Sequence, residues 1–332
     1  MSRRRNNFDE FNPRDLPPLA NAFMRLGSQA RLAVVGLLLA LGIVAAVVYY
    51  RSQHAIQTTH STTGIGLPLS ENALLGNPSG ATADASNKSN YLMVKPNYVL
   101  AWNDGLGTPI WVSWRLQRED LGRAPRKQTF DPDDTLPSGF KRVLTSYYSS
   151  TGFDRGHMCP AGDRTATQDK CFSTFVMTNI IPQAPNVNRK AWEQLESYCR
   201  ELVRRHQHLY IIAGPDGKGG RGSRGFAQSI ANASVTVPAE CWKIVVVVPE
   251  AGDEDELRKI TSTTRVIAVA MPNDNDAVGE AWAQFRTSPA EIERRTGLKF
   301  FATLPGDVAQ ALRQKVDEVS IPPPRPRTQD TE

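Results

Sequence analysis

Residues 153–164 read Phe-Asp-Arg-Gly-His-Met-Cys-Pro-Ala-Gly-Asp-Arg, and residues 178–196 read Thr-Asn-Ile-Ile-Pro-Gln-Ala-Pro-Asn-Val-Asn-Arg-Lys-Ala-Trp-Glu-Gln-Leu-Glu. In the first stretch an acid (Asp154), a fixed cation (Arg155) and a near-neutral base (His157) fall within four residues, at a glycine that permits a sharp turn. Phosphodiester hydrolysis needs such parts: a base to deprotonate water, and a cation for the charge that develops on phosphorus. Alone, the stretch reads equally well as a loop braced by an Asp–Arg pair beside an incidental histidine. From the end of the second stretch onward, Trp192, Leu195, Cys199 and Leu202 recur at helical spacing and predict an amphipathic helix. Asn179 and Asn188 ahead of it are natural turn residues. Glu196 and Arg200 form an i, i+4 pair that an ordinary surface salt bridge would explain.

Taken together and in this order, the two stretches resemble the DNA/RNA non-specific endonucleases of the ββα-metal (His-Me finger) class. Further matches follow at Leu209–Pro215, at Val237-Pro238 ahead of Trp242–Val248, at Met271-Pro272-Asn273 and at Glu291–Leu298. The resemblance implies an α+β fold with a mixed or antiparallel sheet and flanking helices. It implies internal cleavage of DNA and RNA with little base specificity, and it leaves a homodimer open. His157 matches the general base that activates water. Asn188 matches the single protein ligand of a Mg²⁺ ion, with Mn²⁺ as a substitute, a hard ion that keeps most of its waters. Glu196 matches the carboxylate that orients metal-bound water, and Arg200 an arginine facing the substrate phosphate. Arg155 matches the arginine near the scissile group, and Asp154 braces the loop. Asn179 matches a supporting asparagine that holds backbone near the site. Upstream, Arg126 is the match for another active-site arginine, with Arg123 serving under a small shift in alignment.

Geometry constrains this set. On one ideal helix Asn188 and Glu196 would stand about 12 Å apart along the axis, too far to share an ion directly. The regular helix is therefore expected to begin after Asn188, with Glu196 acting through water. No G-x-S-x-G, HExxH or CxxC motif is present, and residues 213–218 fall short of a phosphate-binding P-loop. The glycine-rich stretch 214–225 carries Lys218, Arg221 and Arg224 and reads either as a phosphate contact or, more simply, as a surface loop. Four cysteines (Cys159, Cys171, Cys199, Cys241) allow up to two disulfides in a non-cytoplasmic domain.

Outside the motif region the 332-residue chain changes character. Leu32–Tyr50 is an uncharged apolar run about 28 Å long as a helix, close to the roughly 30 Å hydrocarbon core of a bilayer. Six arginines precede it, whereas after Arg51 the next Lys or Arg is Lys88. The positive-inside rule therefore places residues 1–31 in the cytoplasm and the remainder across the membrane. A cleaved signal peptide competes with this reading, but the apolar run and its polar leader are both long for one. Residues 51–90, rich in Ser, Thr, Asn, Gly and Ala, read as a flexible stem. Residues 91–318 read as the nuclease domain and 319–332 as a disordered Pro-rich tail. The net charge of +5 is concentrated in the N-terminal arm, which holds a surplus of three, so charge alone argues little for nucleic acid.

Within the domain, strands are expected at Tyr98–Trp102, Ile110–Leu116, Phe172–Thr178, Leu209–Ala213, Cys241–Val248 and Val266–Met271. A capping box at Ser288–Glu291 predicts a helix stopped by Gly297, and Val308, Leu312 and Val316 predict another. The absence of a βαβ rhythm favours α+β. Together these readings predict a membrane-anchored, metal-dependent endonuclease. The alternatives are a catalytically silent, tethered nucleic-acid-binding domain and a phosphodiesterase acting on a smaller substrate.

Overall fold

A seven-stranded sheet, antiparallel at every pairing, forms the middle layer of the computed structural model. The structure describes residues 70–249, 256–276 and 281–321, with Gly27, Ser28 and Ala30. In chain order the strands are β1 (Tyr91–Val94), β2 (Val99–Asn103), β3 (Thr108–Leu116), β4 (Asp154–His157), β5 (Ile180–Gln183) and β6 (Gln207–Asp216). The short β7 (Gly220–Gly222), β8 (Gly225–Ala227), β9 (Ser229–Ile230) and β10 (Val235–Thr236) follow, then β11 (Glu240–Pro249), β12 (Arg265–Pro272) and β13 (Arg286–Thr287). The helices are α1 (Gln168–Phe172), α2 (Glu193–Arg204), α3 (Pro289–Thr296) and α4 (Gly306–Arg313). The main sheet runs β1-β2-β3-β6-β11-β12-β13, whereas β4 pairs only with β5.

Strand periodicity divides the interior into two cores. On β11, Cys241, Val245 and Val247 face a core that also holds Ile180 and Ile181 of β5 and Leu195, Cys199 and Val203 of α2. Trp242, Ile244, Val246 and Val248 face the opposite core with Ile292 of α3 and Leu312 of α4. The β4–β5 pair and α2 thus lie together on one face of the sheet, a ββα unit, and the C-terminal helices cover the other. This is the α+β arrangement with an antiparallel sheet that the sequence predicts. As expected, α3 starts at the Ser288 cap, whose hydroxyl accepts from the Glu291 amide, and ends at left-handed Gly297.

Three expectations need correction. The predicted strand Phe172–Thr178 is instead the end of α1 followed by a 3-10 turn at Met177–Asn179. Thr167 caps α1 by accepting from the Lys170 amide, and only an isolated bridge between Asp131 and Val176 remains of any pairing. Local capping outweighs the β propensity of the run. The stem does not extend to residue 90: from Ser70 onward the chain packs on the domain, with Ala73, Leu75 and Ala81 buried against the Trp111–Trp242 core. Its polar residues tie turns and neighbours together instead of solvating a linker. Asn77 exchanges two hydrogen bonds with the Ala81 backbone, and Ser79 Oγ accepts from Trp111 Nε1 at 2.8 Å. Finally, α4 ends at Arg313, so Leu312 is buried but Val316 is exposed.

Among the described residues no helix is long and apolar enough to cross a membrane. The span expected at residues 32–50 lies outside them, as do most of the 1–31 arm, residues 51–69 and the tail from 322.

Candidate active site

The Asp154–His157 strand is held in place by its partner β5, with Asp154 opposite Gln183 and His157 opposite Ile180. Gly156 does not make a sharp turn here. A Cβ at that position would lie 2.3 Å from Gln183 Oε1 and 2.6 Å from Gln183 Cβ, so glycine leaves room for the Gln183 side chain that lies over it. Just beyond β4, the fully buried Asn179 clamps the chain: Oδ1 accepts from the Cys159 amide, and Nδ2 donates to the Cys159 and Thr174 carbonyls, each at 2.9 Å.

His157 is 7% exposed and its ring packs between Phe130 (centroids 5.2 Å apart) and Phe175 (4.8 Å, edge-on). Nε2 is enclosed without a partner, which leaves Nδ1 as the nitrogen to serve the cleft. Burial, reinforced by Arg126, pushes the imidazole pKa down to about 3, so the ring is neutral at ordinary pH and its basicity depends on charge brought near it. Two arginines flank it by stacking on the same aromatics: Arg126 lies 5.3 Å from the Phe175 ring centroid and Arg155 5.1 Å from that of Phe130. Neither forms an ion pair among the described residues, so both cations stay available to an anion. Arg123 is exposed and makes no comparable approach.

Asn188 lies in a π-helical turn, Val187–Trp192, that precedes α2. The regular helix therefore begins after Asn188, as the spacing requires. Asn188 Nδ2 donates to Asp154 Oδ2 at 2.8 Å, and Arg189 grips both Asp154 oxygens at 2.8 and 2.7 Å. With its amide nitrogen committed, Asn188 retains Oδ1 as a hard oxygen donor beside β4. Among the described residues no trio of His, Cys, Asp or Glu could hold a metal ion. The donor set fits an ion held mainly by water and one amide oxygen.

Glu196 and Arg200 do not pair with each other. Glu196 Oε1 stands 3.5 Å from Nζ of Lys243, a fully buried lysine on β11. Burial pushes the Glu196 carboxyl up, opposed chiefly by Lys243 and then Arg200. Arg200 is 14% exposed and bonds Asp163 Oδ1 at 3.1 Å, while Trp114 Nε1 donates to the other Asp163 oxygen at 3.0 Å. Its guanidinium also presses on Gly162, where an added Cβ would sit 2.8 Å away. The expected phosphate-facing Arg200 is thus committed to an interior carboxylate in this structure. Asp163 and Lys243 were not singled out from the sequence, and neither were Arg189 or the aromatic pair Phe130 and Phe175. Asp163 lies within the DRGH…GDR motif, and Lys243 is the lone charge in the apolar run Cys241–Val248; both signals are in the sequence.

The four cysteines are free and buried. Burial pushes the thiols of Cys159 and Cys199 up to about 12 each, which suits packing and not metal binding or nucleophilic attack. The 214–225 stretch forms the β7–β8 pair and docks on the active-site loop through the Ser223 amide, which donates to the Gly152 carbonyl at 2.9 Å.

A ββα unit bearing a base, an amide donor and two uncommitted arginines defines a class of nuclease site, and comparison with known proteins agrees. The model of the DNA/RNA non-specific endonuclease family matches residues 76–307, and the chain belongs to that family. A nuclease of Nostoc sp. is 44% identical over 255 residues, 77% of this chain and 89% of its own length. Mitochondrial nuclease EXOG of Xenopus laevis is 32% identical across 64% of this chain, but that alignment spans 58% of the frog protein. Human mitochondrial endonuclease G is 30% identical over 63% of this chain and 69% of its own. Among solved structures, a chain of the EndoG/EndoGI complex, described in terms of EndoG inhibition, is similar with a TM-score of 0.54. It shares 27% identity and covers 70% of this chain and 90% of its own.

Proposed function

We propose that the protein is a metal-dependent endonuclease that hydrolyses phosphodiester bonds of DNA and RNA without strong sequence preference. The observation that carries the reading is the buried His157 ring set between Phe130 and Phe175, with an unpaired arginine on each of those aromatics and the Asn188 amide tied to Asp154 of the same strand. His157 takes the proton of the attacking water at Nδ1. Arg126 and Arg155 draw in the phosphodiester and offset the charge that grows on phosphorus. Their approach to an anion also raises the basicity of His157, because the bound negative charge favours the imidazolium. Asn188 would hold a divalent ion, Mg²⁺ or in its place Mn²⁺, through Oδ1, and Glu196 would orient water for it. When bound, that ion supplies charge neutralisation at the leaving oxygen. Arg200 contributes by fixing Asp163 under the site. Weak base specificity is reasonable because these groups address phosphate and present no base-reading element.

The test is digestion of plasmid DNA and structured RNA by the purified full chain, with Mg²⁺ and with chelator. Binding without cleavage supports the silent-binding alternative, and turnover confined to small phosphodiesters supports the third reading. We further propose that residues 32–50 anchor the chain in a membrane with the domain on the non-cytoplasmic side. The uncharged run and the arginine asymmetry support this, and a reporter fused after Glu332 that scores as cytoplasmic overturns it.

A further inference from the structure

Lys243 is an unexpected residue at its position. It stands in β11 between Trp242 and Ile244, whose side chains enter the far core, so strand alternation sends the lysine toward α2. Its strand neighbours there are Ala213 and Val269. The side chain is 1% exposed, with Nζ 4.1 Å from the centre of the Trp192 ring and 5.6 Å from that of Trp114. A leucine or methionine would fill this space without the penalty of desolvating an ammonium, so the ion pair is a poor device for stability. Its one carboxylate partner is Glu196, through Oε1 at 3.5 Å. The other charged groups facing this space are already matched, Arg200 with Asp163 and Asp163 with Trp114 as well. Glu196 Oε2 has no partner among the described residues. Glu196 also stands four residues after Trp192, so the end of the π turn and the first turn of α2 present the ring and the carboxylate to the lysine together.

We propose that Lys243 is a positioning residue of the hydrolytic site, acting through Glu196: it pins Oε1 from behind the helix and leaves Oε2 to the water around the ion at Asn188. This rests on the nuclease reading above. The lysine touches neither substrate nor ion. It replaces the mobile surface salt bridge that Glu196 would otherwise seek with a fixed charge set in an aromatic wall, which limits the carboxylate to one orientation.

The test uses the full chain with Lys243→Met, Lys243→Gln, Glu196→Gln and the double variant Lys243→Met/Glu196→Gln. Mn²⁺ binding without substrate is read by electron paramagnetic resonance, alongside melting and cleavage. The expected result is a folded Lys243→Met protein whose Mn²⁺ affinity and cleavage both fall by about 10–100-fold, as for other residues that orient a metal shell. The double variant should be no worse than Glu196→Gln, because the two residues act as one unit. Wild-type Mn²⁺ affinity in Lys243→Met, or losses that add in full in the double variant, overturn the proposal. So does unfolding of both lysine variants under conditions where Glu196→Gln remains folded. A wild-type chain that binds Mn²⁺ but cleaves nothing rejects the nuclease reading while leaving the Lys243–Glu196 coupling measurable by affinity; one that binds no ion overturns both.

Discussion

Asp154 accepts a hydrogen bond from the Asn188 side-chain amide at 2.8 Å, so the strand that carries the base also sets which end of that amide faces the site. The two atoms of the Asn188 headgroup differ in kind, one a donor and one an acceptor, and only the oxygen can bind a cation. Asp154→Ala should therefore let the amide turn over and should release Arg189 into solvent. The expected outcome is a divalent-ion requirement raised by about 10–100-fold with little change in melting temperature. Metal titrations of cleavage beside melting curves decide it, and an unchanged requirement would show that Asp154 only stiffens the loop.

Asn188→Ala should leave a folded protein that no longer responds to Mg²⁺ at ordinary concentrations, and Glu196→Gln should be milder because it acts through water. Both should disturb stability less than Trp192→Ala, since loss of a buried aromatic costs about 3–5 kcal/mol. If Asn188 were merely a turn residue, its replacement would cost about 1 kcal/mol and leave metal-dependent cleavage intact. Melting and metal titration of the three variants separate these outcomes.

His157→Ala should lower cleavage by about 10²–10⁴-fold while nucleic-acid binding persists. Its burial has a second signature. The folded protein holds the imidazole at a pKa of about 3, below its ordinary 6.5, so between these values the unfolded chain binds the extra proton. The neutral imidazole is accommodated without loss above pH 6.5, and stability then declines by about 1.4 kcal/mol per pH unit as pH falls toward 3. His157→Gln should remove that part of the slope. Urea unfolding at pH 7, 6 and 5 measures it, and parallel slopes in the two proteins would mean that the ring is not buried as a neutral base.

How much of this was legible in the sequence depends on how far apart the partners lie. His157, Asp154, Asn179 and Asn188 stand out as candidates because contiguous motifs carry them, and the fold brings those motifs together around β4 and β5. For Arg200 the motif suggests only a substrate role, because Asp163, the carboxylate it bonds in the fold, is 37 residues away and carries no periodic signal. Lys243 was absorbed into an apolar strand, although a single charge at one register of Cys-Trp-Lys-Ile-Val-Val-Val-Val marks which face meets something polar. The 70–90 segment hides its packing for a different reason: small and polar residues weigh against a core in composition, yet three small or apolar side chains suffice when Asn77 and Ser79 tie the turns.

That segment yields a prediction of its own. Leu75 is 3% exposed in the core beneath the sheet, so Leu75→Ala should cost about 2–5 kcal/mol despite lying outside the motif region. A chain beginning at residue 91 should melt well below one beginning near Thr63. Equal melting temperatures for the two truncations would return residues 70–90 to the role of a dispensable stem.

The π-helical turn at Val187–Trp192 makes the spacing between Asn188 and Glu196 a matter of phase as well as length. A π turn carries an additional residue around the axis relative to an α turn, and each residue of an α-helix advances about 100°. Deleting one residue between Val187 and Trp192 would therefore relax the turn to regular helix while swinging Asn188 by about that angle away from Asp154, even though every named side chain survived. In this segment length variation is more damaging than substitution. Relatives that keep all the site residues but differ by one position here would be expected to have lost the geometry that those residues serve.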